Sequence, residues 1–143
     1  MFWNKKDPSI LIVEDELHNH DLYQKAFSEA GFTVTIRPSA DGDFIEEVAA
    51  LSPDIISMDL MIGGPVSRDG FAAITLLKAD SRTKRIPVFV LTNFFQEDKV
   101  QTAKDLGATD YINVQGQPLP KIAALYKQYL DNPKRYQPSN PLF

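Results

Sequence analysis

The chain has 143 residues, of which 43% are hydrophobic and 24% are charged, and this suits one globular domain with a single core. The net charge of −4 argues against broad binding to a nucleic-acid backbone, because no basic face dominates. The absence of cysteine excludes disulfides, thiolate zinc sites and cysteine nucleophiles.

In chain order, short apolar runs typical of buried strands alternate five times with amphipathic helical patterns. Strands are predicted at residues 9–13, 32–37, 54–58, 87–91 and 110–114, each followed in turn by helices at 18–30, 41–51, 70–79, 96–106 and 119–130. This alternation predicts an α/β architecture built on a parallel sheet.

The ends of the chain differ from this regular pattern. Residues 1–7 are predicted to be an N-terminal extension, and this polar stretch does not resemble a signal peptide. No apolar run approaches the length of a membrane span, so the sequence predicts a cytoplasmic protein without a membrane partner. Residues 8–130 form the predicted domain. Residues 131–143, with three prolines, are predicted to be an extended tail, and a frayed terminus is favoured over packing on the domain or docking elsewhere.

Polar side chains follow three of the predicted strands, at the point where each strand ends. Glu14 and Asp15 follow the first, Asp59 the third and Thr92 the fourth. The carboxyl ends of parallel strands meet at one edge of a sheet, where ligands bind. Crowded carboxylates repel one another unless a cation lies between them, and Mg²⁺ suits oxygen ligands. The sequence therefore predicts a Mg²⁺ site beside a carboxylate that could accept a phosphoryl group.

Each of these residues also has a plainer interpretation. The acidic pair could simply begin a helix, where negative charge favours the positive end of the helix dipole. Asp59 could be a solvated loop residue, and Thr92 could be a β-branched residue that ends a strand. Their coincidence at one edge of the sheet favours the site.

Five segments of the chain together form a specific pattern. They are Ile10-Leu11-Ile12-Val13-Glu14-Asp15-Glu16, Pro53-Asp54-Ile55-Ile56-Ser57-Met58-Asp59-Leu60, Asp69-Gly70-Phe71, Ile86-Pro87-Val88-Phe89-Val90-Leu91-Thr92 and Gly107-Ala108-Thr109-Asp110-Tyr111-Ile112. Over about residues 8–130 they resemble the receiver domain of bacterial two-component response regulators. The resemblance implies a doubly wound, flavodoxin-like (βα)₅ fold whose five parallel strands are ordered 2-1-3-4-5.

The resemblance also implies the chemistry of the site. Asp59 matches the phosphoacceptor, and Glu14 and Asp15 match the acidic pair that binds Mg²⁺ together with Asp59 and the backbone carbonyl of Met61. The donor would be a histidine kinase or a phosphotransfer protein. Such a chain assists its own phosphorylation and dephosphorylation and is not a conventional enzyme.

A switch is implied by two further matches. Thr92 and Tyr111 match the pair that rearranges on phosphorylation, which adds about −1.5 to −2 charges and three acceptor oxygens at the phosphoacceptor. The face formed by helix 4, strand 5 and helix 5 then changes shape and contacts a downstream protein partner, with homodimerisation as an open alternative. No nucleic acid is expected as a partner.

Three features depart from the family pattern. Val114 stands where the family has a lysine at the end of strand 5, and Lys121, Lys99 and Arg68 are the candidates to replace its charge. The loop of residues 60–68 is roughly three residues longer than usual, which either reshapes access to the site or is a tolerated insertion. Met61 lies two residues after Asp59, and Phe94 lies two residues after Thr92. Both are bulky apolar residues that flank the site, and this predicts slow hydrolysis of an aspartyl phosphate.

Two functions from different classes follow. The first is a stand-alone response regulator in a phosphorelay that accepts a phosphoryl group on Asp59 with Mg²⁺ and signals through protein contacts. The alternative is a pseudo-receiver that binds partners constitutively, without phosphorylation. The intact Asp15, Asp59 and Thr92 favour the first function, and Val114 favours the second.

Overall fold

The computed structural model describes residues 7–143, so the predicted N-terminal extension lies outside the described residues except for Asp7. The elements in chain order are β1 (Ser9–Val13), α1 (Leu17–Glu29), β2 (Thr33–Arg37), α2 (Phe44–Leu51), β3 (Ile55–Met58), α3 (Gly70–Ala79), β4 (Val88–Thr92), α4 (Glu97–Asp105), β5 (Asp110–Asn113), α5 (Leu119–Asp131) and a short 3-10 turn (Pro133–Arg135). Among these residues, no helix combines the length and apolar character that a membrane crossing needs.

The five strands form one parallel sheet in the order β2-β1-β3-β4-β5, which confirms the predicted fold. The register aligns the carboxyl ends of the central strands. Val13, the last residue of β1, is level with Met58, the last residue of β3. The backbone N–H of Asp59 extends this pairing by donating to the carbonyl of Val13 at 3.2 Å. The residues that follow β1 and β3 therefore leave the sheet side by side.

Two apolar layers cover the sheet, one between the sheet and α2, α3 and α4, and the other between the sheet and α1 and α5. Every residue of β3 and β4 is buried. Successive residues of a strand point to opposite faces, so Val88 and Val90 enter the first layer while Phe89 and Leu91 enter the second. Burial on both faces explains why these strands read as continuous apolar runs.

Helix α2 begins at Phe44, three residues later than the predicted start at residue 41. Arg37 Nη2 donates to the backbone carbonyl of Asp41 at 2.6 Å, and an Asp41 carboxylate oxygen accepts from the backbone N–H of Arg68 at 2.8 Å. These tertiary bonds hold residue 41 in the loop, whereas its sequence pattern alone fits a helix start.

The expectation of a frayed C-terminus is wrong. After the 3-10 turn the chain returns to the domain, where the side chain of Asn140 is buried. The Tyr136 hydroxyl donates to Asp110 at 2.6 Å, and Leu142 and Phe143 pack against the layer that contains α4. These anchors are single residues without helical or strand periodicity, so the pattern that predicts elements does not detect them.

Candidate functional site

An acidic cluster lies at the carboxyl edge of the sheet, beyond β1 and β3. Glu14, Asp15 and Asp59 each bring one carboxylate oxygen to within 4.8 Å of the others. Glu14 is buried, and the other two are partly exposed. The structure thus brings together the three carboxylates that the sequence singled out.

The carboxylate of Asp59 is held by short local contacts. Its Oδ1 accepts from the backbone N–H of Met61 at 3.3 Å, and the backbone N–H of Leu60 and the hydroxyl of Thr92 also bond to it. Burial raises the pKa of Asp59, and the charge of Asp15 raises it further, while these three hydrogen bonds partly offset the rise. The side chain of Met61 is 63% exposed beside the site.

Glu14 is the carboxylate of the cluster that burial affects most. Its two oxygens accept from the backbone N–H of Glu16 at 3.1 Å and from Asn19 Nδ2 at 3.4 Å. Burial is the largest cause that raises the pKa of Glu14 to about 7, and the charges of Asp59 and Asp15 add to it. This carboxyl group therefore keeps its proton to a higher pH than a solvated glutamate does.

The loop of residues 60–68, which the sequence predicts to be longer than the family pattern, contacts the cluster directly. The backbone N–H of Gly63 donates to Asp15 Oδ2 at 3.1 Å. Gly63 has φ +74°, a left-handed conformation that a side chain would strain. The far end of the loop is anchored by Arg68, whose Nη1 donates to the carbonyls of Ala40 at 2.9 Å and Gly42 at 3.3 Å. These contacts hold the loop in place, and the loop in turn orients the carboxylate of Asp15.

The predicted switch pair lies on the β4–β5 side of the cluster. Thr92 is buried, and its hydroxyl oxygen also accepts from the backbone N–H of Phe94 at 3.2 Å. Tyr111 is buried as well, and its hydroxyl donates to the backbone carbonyl of Phe94. Burial, with the charge of Asp59, raises the pKa of Tyr111 to about 12. Thr92 therefore contacts the acidic cluster directly, whereas Tyr111 reaches it through the backbone between them.

Val114, which the sequence predicts to replace a lysine of the family pattern, lies one residue beyond β5. Its backbone N–H donates to the carbonyl of Thr92 at 3.0 Å, and its side chain packs against the layer that contains α1 and α5. This position accordingly contributes an apolar contact and no charge.

The three candidate replacements for the lysine make different contacts. Arg68 is committed to the loop carbonyls described above. Lys99 Nζ lies 5.7 Å from the ring centroid of Phe71 and 5.8 Å from that of Phe94, a cation–π arrangement at the start of α4. Lys121 lines a cleft beside Tyr111.

Sequence reasoning missed three supporting residues. Gly63 and Asn19 orient two carboxylates, and neither has a sequence signal for that role. Gly70 begins α3 directly against the backbone of Asp59 and Leu60. A signal for Gly70 existed, because Asp69-Gly70 is one of the matched segments, and the Asp69 side chain caps α3 by accepting from Ala72 at 2.8 Å.

The donor set suits a small hard cation. All three groups offer carboxylate oxygen, the ligand type that Mg²⁺ prefers. Burial, and to a smaller extent the mutual repulsion of the carboxylates, raises the pKa of Glu14 and of Asp59, and a divalent ion placed among them would stabilise their charged forms. The residues present therefore fit a divalent metal site.

Comparison with known proteins agrees with this geometry. The family model described as the response regulator receiver domain matches residues 10–118. The chain is 38% identical over 107 residues to the DNA-binding dual master transcriptional regulator RpaA of Synechocystis, covering 73% of this chain and 42% of RpaA. It is 37% identical over 106 residues to the transcriptional regulatory protein PdtaR of Mycobacterium tuberculosis, covering 72% of this chain and 47% of PdtaR. The chain thus spans about half the length, or less, of these curated relatives.

Solved structures share the fold. The BeF₃-activated receiver domain of Klebsiella pneumoniae RstA superposes with a TM-score of 0.73 at 24% identity, covering 85% of this chain and 97% of that one. The phosphorylated cyanobacterial phytochrome response regulator RcpA superposes with a TM-score of 0.70 at 24% identity, covering 88% and 95%. At this identity the likeness shows the fold alone.

Proposed function

Because the chain belongs to the response-regulator receiver family, we propose that Asp59 accepts a phosphoryl group in a two-component phosphorelay. The observation that carries this proposal is the placement of Asp59. Its partly exposed carboxylate lies in a cluster with Glu14 and Asp15, and it is hydrogen-bonded to the hydroxyl of Thr92. The phosphoryl acceptor therefore lies close to the carboxylates that would bind the metal and to the hydroxyl that would contact the phosphoryl group.

The reaction transfers a phosphoryl group from a nitrogen or oxygen atom of the donor to a carboxylate oxygen of Asp59. A carboxylate oxygen of Asp59 attacks the phosphorus of the donor, and a new oxygen–phosphorus bond forms as the bond to the donor's leaving atom breaks. The electron pair of the broken bond leaves with the donor. Glu14, Asp15, Asp59 and the backbone carbonyl of Met61 would hold a Mg²⁺ ion, which would supply charge neutralisation for the transferred group.

The chain's own donors would hold the transferred group. The Thr92 hydroxyl and the backbone N–H of Met61 already bond to Asp59 and can donate to phosphoryl oxygens instead. Val114 provides no ammonium, so the added charge is compensated mainly by the metal and these dipoles. Met61 and Phe94 flank the acceptor and restrict the approach of water, so hydrolysis of the aspartyl phosphate is slow.

The partners proposed for this site are a histidine kinase or a phosphotransfer protein as donor and a downstream protein as receiver of the signal. The downstream contact uses the outer surface formed by α4, β5 and α5, hereafter the output face. Tyr111 supports this assignment, because it belongs to β5 and hydrogen-bonds the loop that leaves the phosphoryl site. A change at Thr92 would reach the output face through this bond.

A second candidate function is a pseudo-receiver that binds its partner without phosphorylation. Two observations favour it. Val114 removes the usual positive charge, and the Tyr111 ring is already buried and hydrogen-bonded to Phe94 in the unmodified chain. In this case the output face would be able to bind its partner before any phosphorylation.

Intact-mass measurement separates the two functions. Wild type and Asp59→Asn are incubated with Mg²⁺ and a small-molecule phosphodonor, with Asp105→Asn, an exposed residue at the end of α4, as the matched control. We expect one added phosphoryl group on wild type and Asp105→Asn and none on Asp59→Asn. No gain on wild type would favour the pseudo-receiver, and an equal gain on Asp59→Asn would exclude Asp59 as the acceptor.

A further inference from the structure

Asp110, the first residue of β5, is fully buried and serves as the anchor of the C-terminal segment. Its carboxylate accepts five hydrogen bonds, four of which come from residues near the C-terminus. These are the Tyr136 hydroxyl at 2.6 Å, the Ser139 backbone N–H at 2.7 Å and hydroxyl at 2.9 Å, and the Asn140 N–H at 3.1 Å; the fifth is the N–H of Tyr111 at 2.8 Å. A buried carboxylate with this many donors is a strong, geometrically specific anchor.

The segment crosses from one face of the sheet to the other. On the α5 side, the ring of Tyr136 packs edge-on against Tyr129 with centroids 5.5 Å apart. On the α4 side, Leu142 packs against the apolar layer, and its carbonyl accepts from Lys104 Nζ at 3.0 Å. The crossing passes over β5, because both Asp110 and Tyr111 bond to it between these two points.

Strand β5 is an edge of the sheet, since its only strand neighbour within residues 7–143 is β4. An uncovered edge offers unpaired backbone groups that can pair with another chain. Here the carbonyl of Tyr111 accepts from Asn140 Nδ2 at 3.3 Å, so the segment satisfies part of that edge. The segment therefore occupies the place where an additional strand or a partner surface would lie.

We propose that residues 136–143 form a latch that closes the β5 edge of the output face to a second copy of this chain. This inference rests on the output face proposed above and adds its regulation. With the latch in place the edge is covered and the chain is monomeric. Release of the latch uncovers the edge, and two copies associate there.

The surface next to the latch is self-complementary in charge. The first turn of α4 carries the exposed acids Glu97 and Asp98, while exposed lysines lie at Lys104 near the end of α4 and at Lys121 on α5. A two-fold axis along the edge would bring the same surface of both copies together, acids against lysines. Release of the latch also frees Lys104 from the carbonyl of Leu142.

An apolar centre accompanies these charges. Phe95 is 55% exposed, and a cleft of about 390 Å³ between the latch, β5 and α5 is lined by Phe95, Ile112, Leu125 and Pro141. Opening the latch removes one wall of this cleft and widens the apolar patch. Apolar burial at the centre with charges at the rim is the usual anatomy of a specific interface.

The latch is tested on the unphosphorylated chain without phosphodonor. Asn140→Ala removes the bonds to the carbonyl of Tyr111 and the N–H of Leu142, and a chain that ends at Arg135 lacks the latch altogether. Gln137→Ala is the matched control, because its side chain is exposed within the same segment. Circular dichroism establishes that each variant is folded.

Two measurements report the outcome. Hydrogen exchange at the amides of Ser139 and Asn140 should be slow in wild type and Gln137→Ala and fast in Asn140→Ala. Analytical ultracentrifugation should show wild type and the control as monomers, and both unlatched chains self-associating about tenfold more tightly or better. Fast exchange in wild type, or unlatched chains that remain monomeric at the same concentrations, overturns the proposal.

The same experiment in an Asp59→Asn background separates this proposal from the proposed function. Self-association on unlatching should persist there, since the latch contacts Asp110 and not Asp59. A chain that is never phosphorylated can therefore still show the latch. Conversely, a wild type that accepts phosphate normally but does not associate when unlatched contradicts the latch alone.

Discussion

The hydroxyl groups of Ser57 and Tyr126 lie 2.8 Å apart in the interior, where β3 meets α5. Ser57 is 2% exposed and Tyr126 is fully buried, so neither hydroxyl can turn to solvent. Each provides the hydrogen bond that the other needs, which allows a serine in the middle of a buried apolar strand. The pair fixes α5 against the strand that carries the acidic cluster.

Removal of one hydroxyl of this pair should destabilise the fold. In Tyr126→Phe the Ser57 hydroxyl is left buried without its partner, and we expect the free energy of unfolding to fall by about 1–3 kcal/mol. The double variant Ser57→Ala/Tyr126→Phe should recover part of this loss, as measured by urea unfolding. Tyr129→Phe, which keeps the ring contacts with Phe89, is the control and should change little. Simple additivity of the two single changes would contradict the pairing.

Buried tyrosines make the fold sensitive to alkali. Burial raises the pKa of Tyr126, Tyr23 and Tyr136 well above the usual value, and that of Tyr111 to about 12. The folded chain therefore holds protons that the unfolded chain loses near its ordinary pKa of about 10, so this stability is complete below about pH 10 and is lost as the pH rises above it. Phenolate absorbance should appear together with the loss of circular dichroism. Full ionisation of these tyrosines in a still folded chain would refute this expectation.

Close packing beside Asp59 requires a glycine at position 70. A Cβ at this position would collide with the backbone carbonyl oxygen of Asp59 and would lie 2.8 Å from the Cα of Leu60. Because both are backbone atoms, Gly70→Ala should destabilise the fold by about 1–3 kcal/mol and displace Asp59. We expect a lower melting temperature and slower phosphorylation in the intact-mass assay.

A matched control for Gly70 lies in the neighbouring loop. A Cβ at Gly64 meets no atom within 4 Å, and Gly64 does not have a positive φ. Gly64→Ala should therefore have a melting temperature and a phosphorylation rate close to those of wild type. Equal effects at the two glycines would show that the close approach at Gly70 is not the cause.

Metal binding should depend on pH. The pKa of Glu14 is raised to about 7 and that of Asp59 is also raised, so protons compete with Mg²⁺ for these groups. Without metal, the folded chain keeps a proton on Glu14 that the unfolded chain releases at the usual glutamate pKa, so stability declines as the pH rises through the folded pKa of Glu14. The affinity for Mg²⁺ should accordingly increase from about pH 6 to about pH 8 in calorimetry.

Two variants sharpen this measurement. Glu14→Gln should bind Mg²⁺ more weakly, and its affinity should depend less on pH. In the absence of metal it should be more stable than wild type, because a buried charge and its repulsion from the other carboxylates are removed. Glu16→Gln changes an exposed neighbour and should retain the wild-type profile. A pH profile that is unchanged in Glu14→Gln would assign the titration to another group.

The strands were predictable because β3 and β4 are buried on both faces and so appear as continuous apolar runs, whereas their order was predictable only from the resemblance of five segments to the receiver family. The acidic cluster was predictable because parallel strands bring Glu14 and Asp59 to one edge. The contact of Gly63 with Asp15 was not, since it depends on the path of an irregular loop. The role of Asp110 was hidden for a similar reason: its donors are isolated residues far along the chain, without a repeating pattern.

The path of the last residues also determines where any appended polypeptide would emerge. Phe143 packs beside α4, so a fluorescent protein or affinity tag joined to it would project from the output face and not from the end of α5. Such a fusion would crowd the output face and could strain the hydrogen bonds that the C-terminal segment makes to Asp110. A dye attached to Lys25→Cys, on the exposed side of α1, would report on the chain while leaving that surface unobstructed.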